Sequence, residues 1–82
     1  MKTPILFKTL DVRHLLDAGR EPLPEIRRSI EALGPGEGLE IIAPFLPSPL
    51  IELLGSEGFD HDFDHEPGGP WITRFWRPDA RA

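Results

Sequence analysis

Two groups of residues in this 82-residue chain have types and spacing that invite chemistry. The first is the run Asp60-His61-Asp62-Phe63-Asp64-His65-Glu66, in which imidazoles and carboxylates alternate. As a calcium loop it fails, because the position that needs glycine is His65 and the one that needs a bidentate glutamate is Trp71. As a His-x-x-x-His pair it would serve on a helix, where residues four apart share a face. On a strand, His61 and His65 stand about 13 Å apart at ~3.3 Å per residue, and a metal with ligands at ~2 Å reaches only one of them. His14, from another loop, would have to join that one as a ligand. The plainer expectation is a hairpin strand with Phe59 and Phe63 inward, a solvated acidic face, and no resident metal or cofactor.

The second group lies around Arg20-Glu21-Pro22-Leu23-Pro24, which opens a helical pattern. A helix N-terminus carries free amides and a partial positive charge, so it favours an anion, and Arg13, Arg20, Arg27 or Arg28 would assist. Glu21 already offers a carboxylate there. In the plain reading Glu21 stabilises its own helix; in the functional one it is a general acid or base, or a docking charge. Acid–base catalysis needs a partner group and a pocket, and one carboxylate supplies neither. The chain is therefore expected to be no enzyme, with Arg13, Arg20, Glu21, Pro22, Pro24 and Arg27 as candidate binding residues.

The other motifs are negative. Gly34-Pro35-Gly36-Glu37-Gly38 precedes a strand and carries no lysine, so it is a connection and not a phosphate cradle. Ser29, Ser48 and Ser56 have helix or cap explanations, and no Gly-x-Ser-x-Gly turn occurs. A net charge of -5 argues against nucleic acid and anionic membranes, which are bound through basic patches. Trp71, Phe75 and Trp76 lack the basic groove that base stacking requires. With no cysteine, the chain has no thiolate and no disulfide to reinforce its core. The opening Met1 to Lys8 has too short an apolar run for a signal peptide, and nothing approaches the ~20 apolar residues of a membrane helix; a cytoplasmic location is expected.

These candidates must be held by a small set of elements. Ile5 to Asp11 reads as a strand and Val12 to Gly19 as a connection with a turn at Asp17-Ala18-Gly19. Leu23, Ile26, Ile30 and Leu33 form an apolar stripe at helical spacing, opened by Pro22 and Pro24 and closed by Gly34 as cap. Leu39 to Ala43 is a second strand. Ser48-Pro49 starts a short helix, with the hydroxyl as N-cap and Leu50, Leu53 and Leu54 inward. Phe59 to His65 and Trp71 to Trp76 form a hairpin around Glu66-Pro67-Gly68-Gly69-Pro70. The order strand-helix-strand-helix-strand-strand predicts an α/β fold: a two-layer α/β sandwich with a mixed four-stranded sheet and two helices on one face. Residues 1–77 make one domain and 78–82 a flexible tail. If Phe59 and Phe63 face the helices, their partners are Trp71 and Phe75. Ile42, Ile72, Arg74 and Trp76 then form an apolar patch on the open sheet face, with Arg74 paired to an aspartate. The opposite register exchanges the faces.

The order and spacing carry a resemblance. Glu21-Pro22-Leu23-Pro24 resembles the Cys-Pro-x-Pro opening of the first helix in the TusA/SirA-like sulfur-carrier fold, with Glu21 where the cysteine would stand. Leu10-Asp11-Val12-Arg13-His14-Leu15 is similar to the Leu-Asp-Val-Arg-Gly-Leu start of the cysteine-free family named domain of unknown function 2249, DUF2249. Pro49-Leu50 resembles that family's Pro-Leu opening of the second helix, and Pro35-Gly36-Glu37 before the second strand is similar to the TusA-like fold. His14 replaces the usual glycine, and Leu16 to Gly19 reads as an insertion. The resemblance implies a TusA-like fold over nearly the whole chain, with persulfide relay closed to it for want of a thiolate. Relatives also occur beside hemerythrin-like iron domains, which implies a link to iron, haem or nitrogen-oxide metabolism.

The expected function is a small non-catalytic binding or accessory module. Its partner is a protein, met through the helix opening or the open sheet face, with weak self-association through the same patch. The alternative is a small-anion or metal-ligand domain centred on the helix opening or on His14, His61 and His65. A third reading is a non-transferring partner in a sulfur relay.

Overall fold

The computed structural model describes residues 4–81, so Met1-Lys2-Thr3 and the final Ala82 lie outside the described residues. Four strands, β1 (Leu6–Asp11), β2 (Glu37–Ala43), β3 (Asp60–His65) and β4 (Trp71–Trp76), form one sheet in the order β1-β2-β4-β3. β1 runs parallel to β2, and the other two pairings are antiparallel. The helices are α1 (Arg13–Asp17), α2 (Leu23–Glu31) and α3 (Ser48–Ser56). Leu15, Ile26, Ile30, Leu50 and Leu54 from these helices form one buried cluster with Leu39, Ile41 and Ala43 of β2 and Phe75 of β4. All three helices therefore cover one sheet face, giving the expected mixed-sheet α/β sandwich. Among the described residues no helix is long and apolar enough to cross a membrane.

The alternation of each strand sorts its side chains. Leu39, Ile41 and Ala43 point to the helices and are nearly fully buried, as is Phe75. Glu40 and Ile42 take the open face with their partners Arg74 and Ile72. Two prolines followed by a positive-φ glycine make the tight turns. In Glu66-Pro67-Gly68-Gly69 the Gly69 amide donates to the Glu66 carbonyl at 2.8 Å, and Gly68 has φ +75°. In Gly34-Pro35-Gly36-Glu37 the Glu37 amide donates to the Gly34 carbonyl at 3.2 Å, and Gly36 has φ +75°. Both follow the type II pattern, which needs φ > 0 at its third residue.

Four local expectations are corrected. The connection from Val12 to Gly19 contains the short α1, begun where Asp11 Oδ1 accepts from the Arg13 amide at 3.0 Å and held by burial of Leu15. Gly34 does not cap α2, whose C-cap is Ala32; the Gly34 amide instead donates to Glu37 Oε1 at 2.6 Å inside its own turn. Ser48 is a helical residue of α3 and not its cap, because its amide already donates to the Leu46 carbonyl at 2.9 Å and Pro47 takes the cap position. Phe59 is buried as expected, but Phe63 is 48% exposed. It occupies the edge strand, while α3 meets that strand at the Phe59 end, where the Phe59 amide donates to the Leu54 carbonyl. Apart from these four, Pro78–Arg81 forms a 3-10 turn.

Candidate functional site

The parallel strands β1 and β2 end side by side, at Asp11 and Ala43. The chain leaves one toward α1 and α2 and the other toward α3, and crevices outside the carboxyl ends of parallel strands are where α/β sheets take ligands. Here they leave a cleft of about 350 Å³. Val12, Ile41 and Ala43 form its floor, Leu23 and Ile26 one wall, and Leu50 and Leu53 the other. Phe45 stands at the rim at 50% exposure and Leu23 at 36%. Pro22, Pro47 and Pro49 all line it; their fixed φ angles hold the mouth without loss of chain entropy on binding. Glu21 is the one charged residue in the lining among the described residues.

The expected helix-opening residues divide in this geometry. Glu21 and Pro22 line the cleft and Pro24 does not, while Leu23, not among the expected residues, lines it as well. Glu21 Oε1 accepts from the Leu23 amide at a long 3.4 Å, so part of its role is the plain one of capping its helix. Three of the four arginines are committed elsewhere. Arg13 Nε donates to Asp11 Oδ1 at 3.0 Å and Arg13 Nη2 to Asp11 Oδ2 at 2.7 Å. With the Arg13 amide bond added, this guanidinium holds the Asp11 carboxyl down to about 2. Arg27 Nη1 donates to Glu57 Oε1 at 2.6 Å, tying α2 to the end of α3. That bond raises the Arg27 pKa and lowers that of Glu57. Arg28 pairs with Glu25 at 3.2 Å. Arg20 is exposed and its side chain makes no ion pair among the described residues. No basic side chain lines the cleft among those residues.

The open sheet face groups Ile42, Ile72, Arg74 and Trp76 as expected, yet it is not an exposed apolar patch. Trp76 is buried at 9% exposure, with the Phe7 ring edge-on at 6.0 Å, and Ile42 and Ile72 are half-buried. Arg74 bonds three carboxylates: Glu40 at 3.1 Å, Asp62 at 3.0 Å and Asp64 at 2.9 Å. The Asp62 bond is the chief cause of its raised pKa. A salt-bridged row, continued by the Thr9 hydroxyl donating to Glu40 at 3.2 Å, separates the apolar residues.

The histidines are dispersed. His14 is exposed on α1, His61 lies beside Phe75 at 6.3 Å between ring centres, and His65 stacks parallel on Trp71 at 4.0 Å. Among the described residues no three His, Cys, Asp or Glu side chains are grouped to hold a metal. Sequence reasoning missed Phe45, Leu53, Val12 and Leu16 as lining residues. One signal was present: Phe45 is an aromatic residue in a loop stiffened by Pro44 and Pro47.

A family model described as "Uncharacterized conserved protein (DUF2249)" matches residues 9–77. No curated protein and no solved structure matches the chain.

Proposed function

We propose, for a chain that belongs to the DUF2249 family of uncharacterized conserved proteins, the role of a small non-catalytic binding or accessory module whose binding surface is the cleft at the opening of α2. The observation that carries this reading is a pre-formed apolar concavity of about 350 Å³ with Leu23 and Phe45 left exposed at its rim. That size lies at the low end of ligand pockets, roughly 300–1,000 Å³, and suits a ring, a short aliphatic chain or one side chain of a partner. A non-catalytic role is supported by the lining, in which, among the described residues, Glu21 has no second titratable group to exchange protons with. The TusA-like kinship belongs to the same reading: Glu21 stands at the position of the sulfur-carrier cysteine, and with no cysteine in the chain the module carries no persulfide. A cytoplasmic setting is part of the proposal on the sequence reading alone.

The test is an amide-shift titration with a neutral apolar probe, benzyl alcohol, on the wild type and on Phe45→Asp. Saturable shifts at Leu23, Ile26 and Leu50 that vanish in a folded Phe45→Asp variant support the cleft as the binding surface. A flat titration, or shifts scattered over the sheet, would remove it.

A further inference from the structure

We infer that the cleft selects a small organic cation: an ammonium or amidinium nitrogen on a compact aliphatic or aromatic body. The inference deepens the proposed binding role and rests on it. Three observations about charge point the same way. The lining contains one carboxylate, Glu21, and no basic side chain among the described residues. Arg13, Arg27 and Arg28 are engaged by Asp11, Glu57 and Glu25, and neither they nor Arg20, which is exposed beside Glu21 in the chain and makes no ion pair among the described residues, line the cleft. Phe45 sets a half-exposed aromatic ring on the same lining as Glu21, and a carboxylate with an aromatic face is a pairing that recognises ammonium groups.

The competing expectation is an anion, because the openings of α2 and α3 both border this cleft and helix N-termini favour negative charge. The first turns are poor in the donors an anion needs. Pro24 and Pro49 have no amide hydrogen. The Leu23 amide is directed at Glu21 and the Ser48 amide at the Leu46 carbonyl. An incoming anion would meet Glu21 at the mouth, while an incoming cation finds an exposed carboxylate and an apolar floor for its body.

The experiment uses three probes of nearly equal shape: benzylammonium, benzyl alcohol and benzoate, each titrated at low salt and followed by amide shifts at Leu23, Ile26 and Leu50. The expected order is benzylammonium tightest, by roughly tenfold over benzyl alcohol from an exposed ion pair plus a cation–π contact, with benzoate weakest. Glu21→Gln should bring the ratio of the first two close to one, and added salt should narrow it in the wild type. Equal binding of ammonium and alcohol, a preference for benzoate, or a ratio untouched by Glu21→Gln would overturn the cation selectivity while leaving the apolar cleft as a binding surface. If none of the three binds, both readings fall.

Discussion

Arg74 on β4 lies opposite Glu40 on β2, and its Nε donates to Glu40 Oε2 at 3.1 Å on the face of the sheet away from the helices. Its Nη1 reaches across to Asp62 and Asp64 on the edge strand β3, so one guanidinium joins three of the four strands. Thr9, opposite Glu40 on β1, extends the row to the fourth. The arrangement lets an acidic edge strand pair with the sheet while its repeated aspartates, all exposed, discourage pairing with further chains.

Removing that guanidinium leaves three carboxylates facing one another. Arg74→Ala is expected to lower unfolding free energy by about 1–3 kcal/mol, since the group is partly buried and its partners lose their counter-charge. Urea unfolding measures the change, and 1 M salt should recover part of it by screening the repulsion. An unchanged urea midpoint would show that the row contributes nothing to stability.

Gly38 is required by a close approach. A Cβ there would stand 2.6 Å from Phe7 Cε1 and 2.8 Å from the Phe75 carbonyl oxygen. The ring could turn aside, but the backbone of a central strand cannot. Gly38→Ala should therefore cost about 1–3 kcal/mol, and Phe7→Leu in the same chain should restore only part of it. Full rescue by Phe7→Leu in thermal melts would place the whole clash on the ring.

Thr73 is fully buried on the helix side of β4, and its Oγ1 has no hydrogen-bond partner among the described residues. Its alternating position demands an inward side chain, and valine fills the same volume without a stranded hydroxyl. Thr73→Val is expected to raise stability by about 1 kcal/mol. A fall in melting temperature would mean that the hydroxyl is satisfied in solution.

The pH dependence near the acid end follows from Asp11, whose carboxyl is held down to about 2 by the bonds from Arg13. Its unfolded value is about 3.9, so the folded state binds the proton less readily than the unfolded one. The stabilisation is complete above the unfolded value and is lost as pH falls from about 4 to 2. Because both side chains are substantially exposed, solvent screening keeps the effect small. The stability difference between wild type and Asp11→Asn should be constant above pH 5 and shrink toward pH 2 in urea titrations. A difference that does not change with pH would assign the role of Asp11 to hydrogen-bond geometry alone.

Much of the scaffold was legible because its causes are local. Alternation in Leu39 to Ala43 names the inward face of that strand and the stripe Ile26, Ile30 that of α2, while in Trp71 to Trp76 alternation marks two faces and only the register with β2 says which is inward. The two Pro-Gly pairs mark turns whose third residue must have positive φ. Other features depended on contacts between distant segments. The sequence reading gave Arg13 and Arg27 to a shared site, but each had a nearer carboxylate in space, one of them 30 residues away. Trp76 was expected outside, yet Phe7 from the far end of the chain lies against it. The cleft is the clearest case. Its floor, two walls and rim come from residues within 12–16, 21–26, 41–45 and 47–53, and no single stretch carries a sign of concavity. Sequence alone determined the four strands, the helices α2 and α3, the inward face of β2 and a carboxylate at the head of α2, because steric and hydrogen-bonding preferences act over a few residues. Only tertiary structure decided that this carboxylate is the one charged group, among the described residues, lining an apolar hollow, because which charges meet and what volume stays unfilled are settled when separate segments pack.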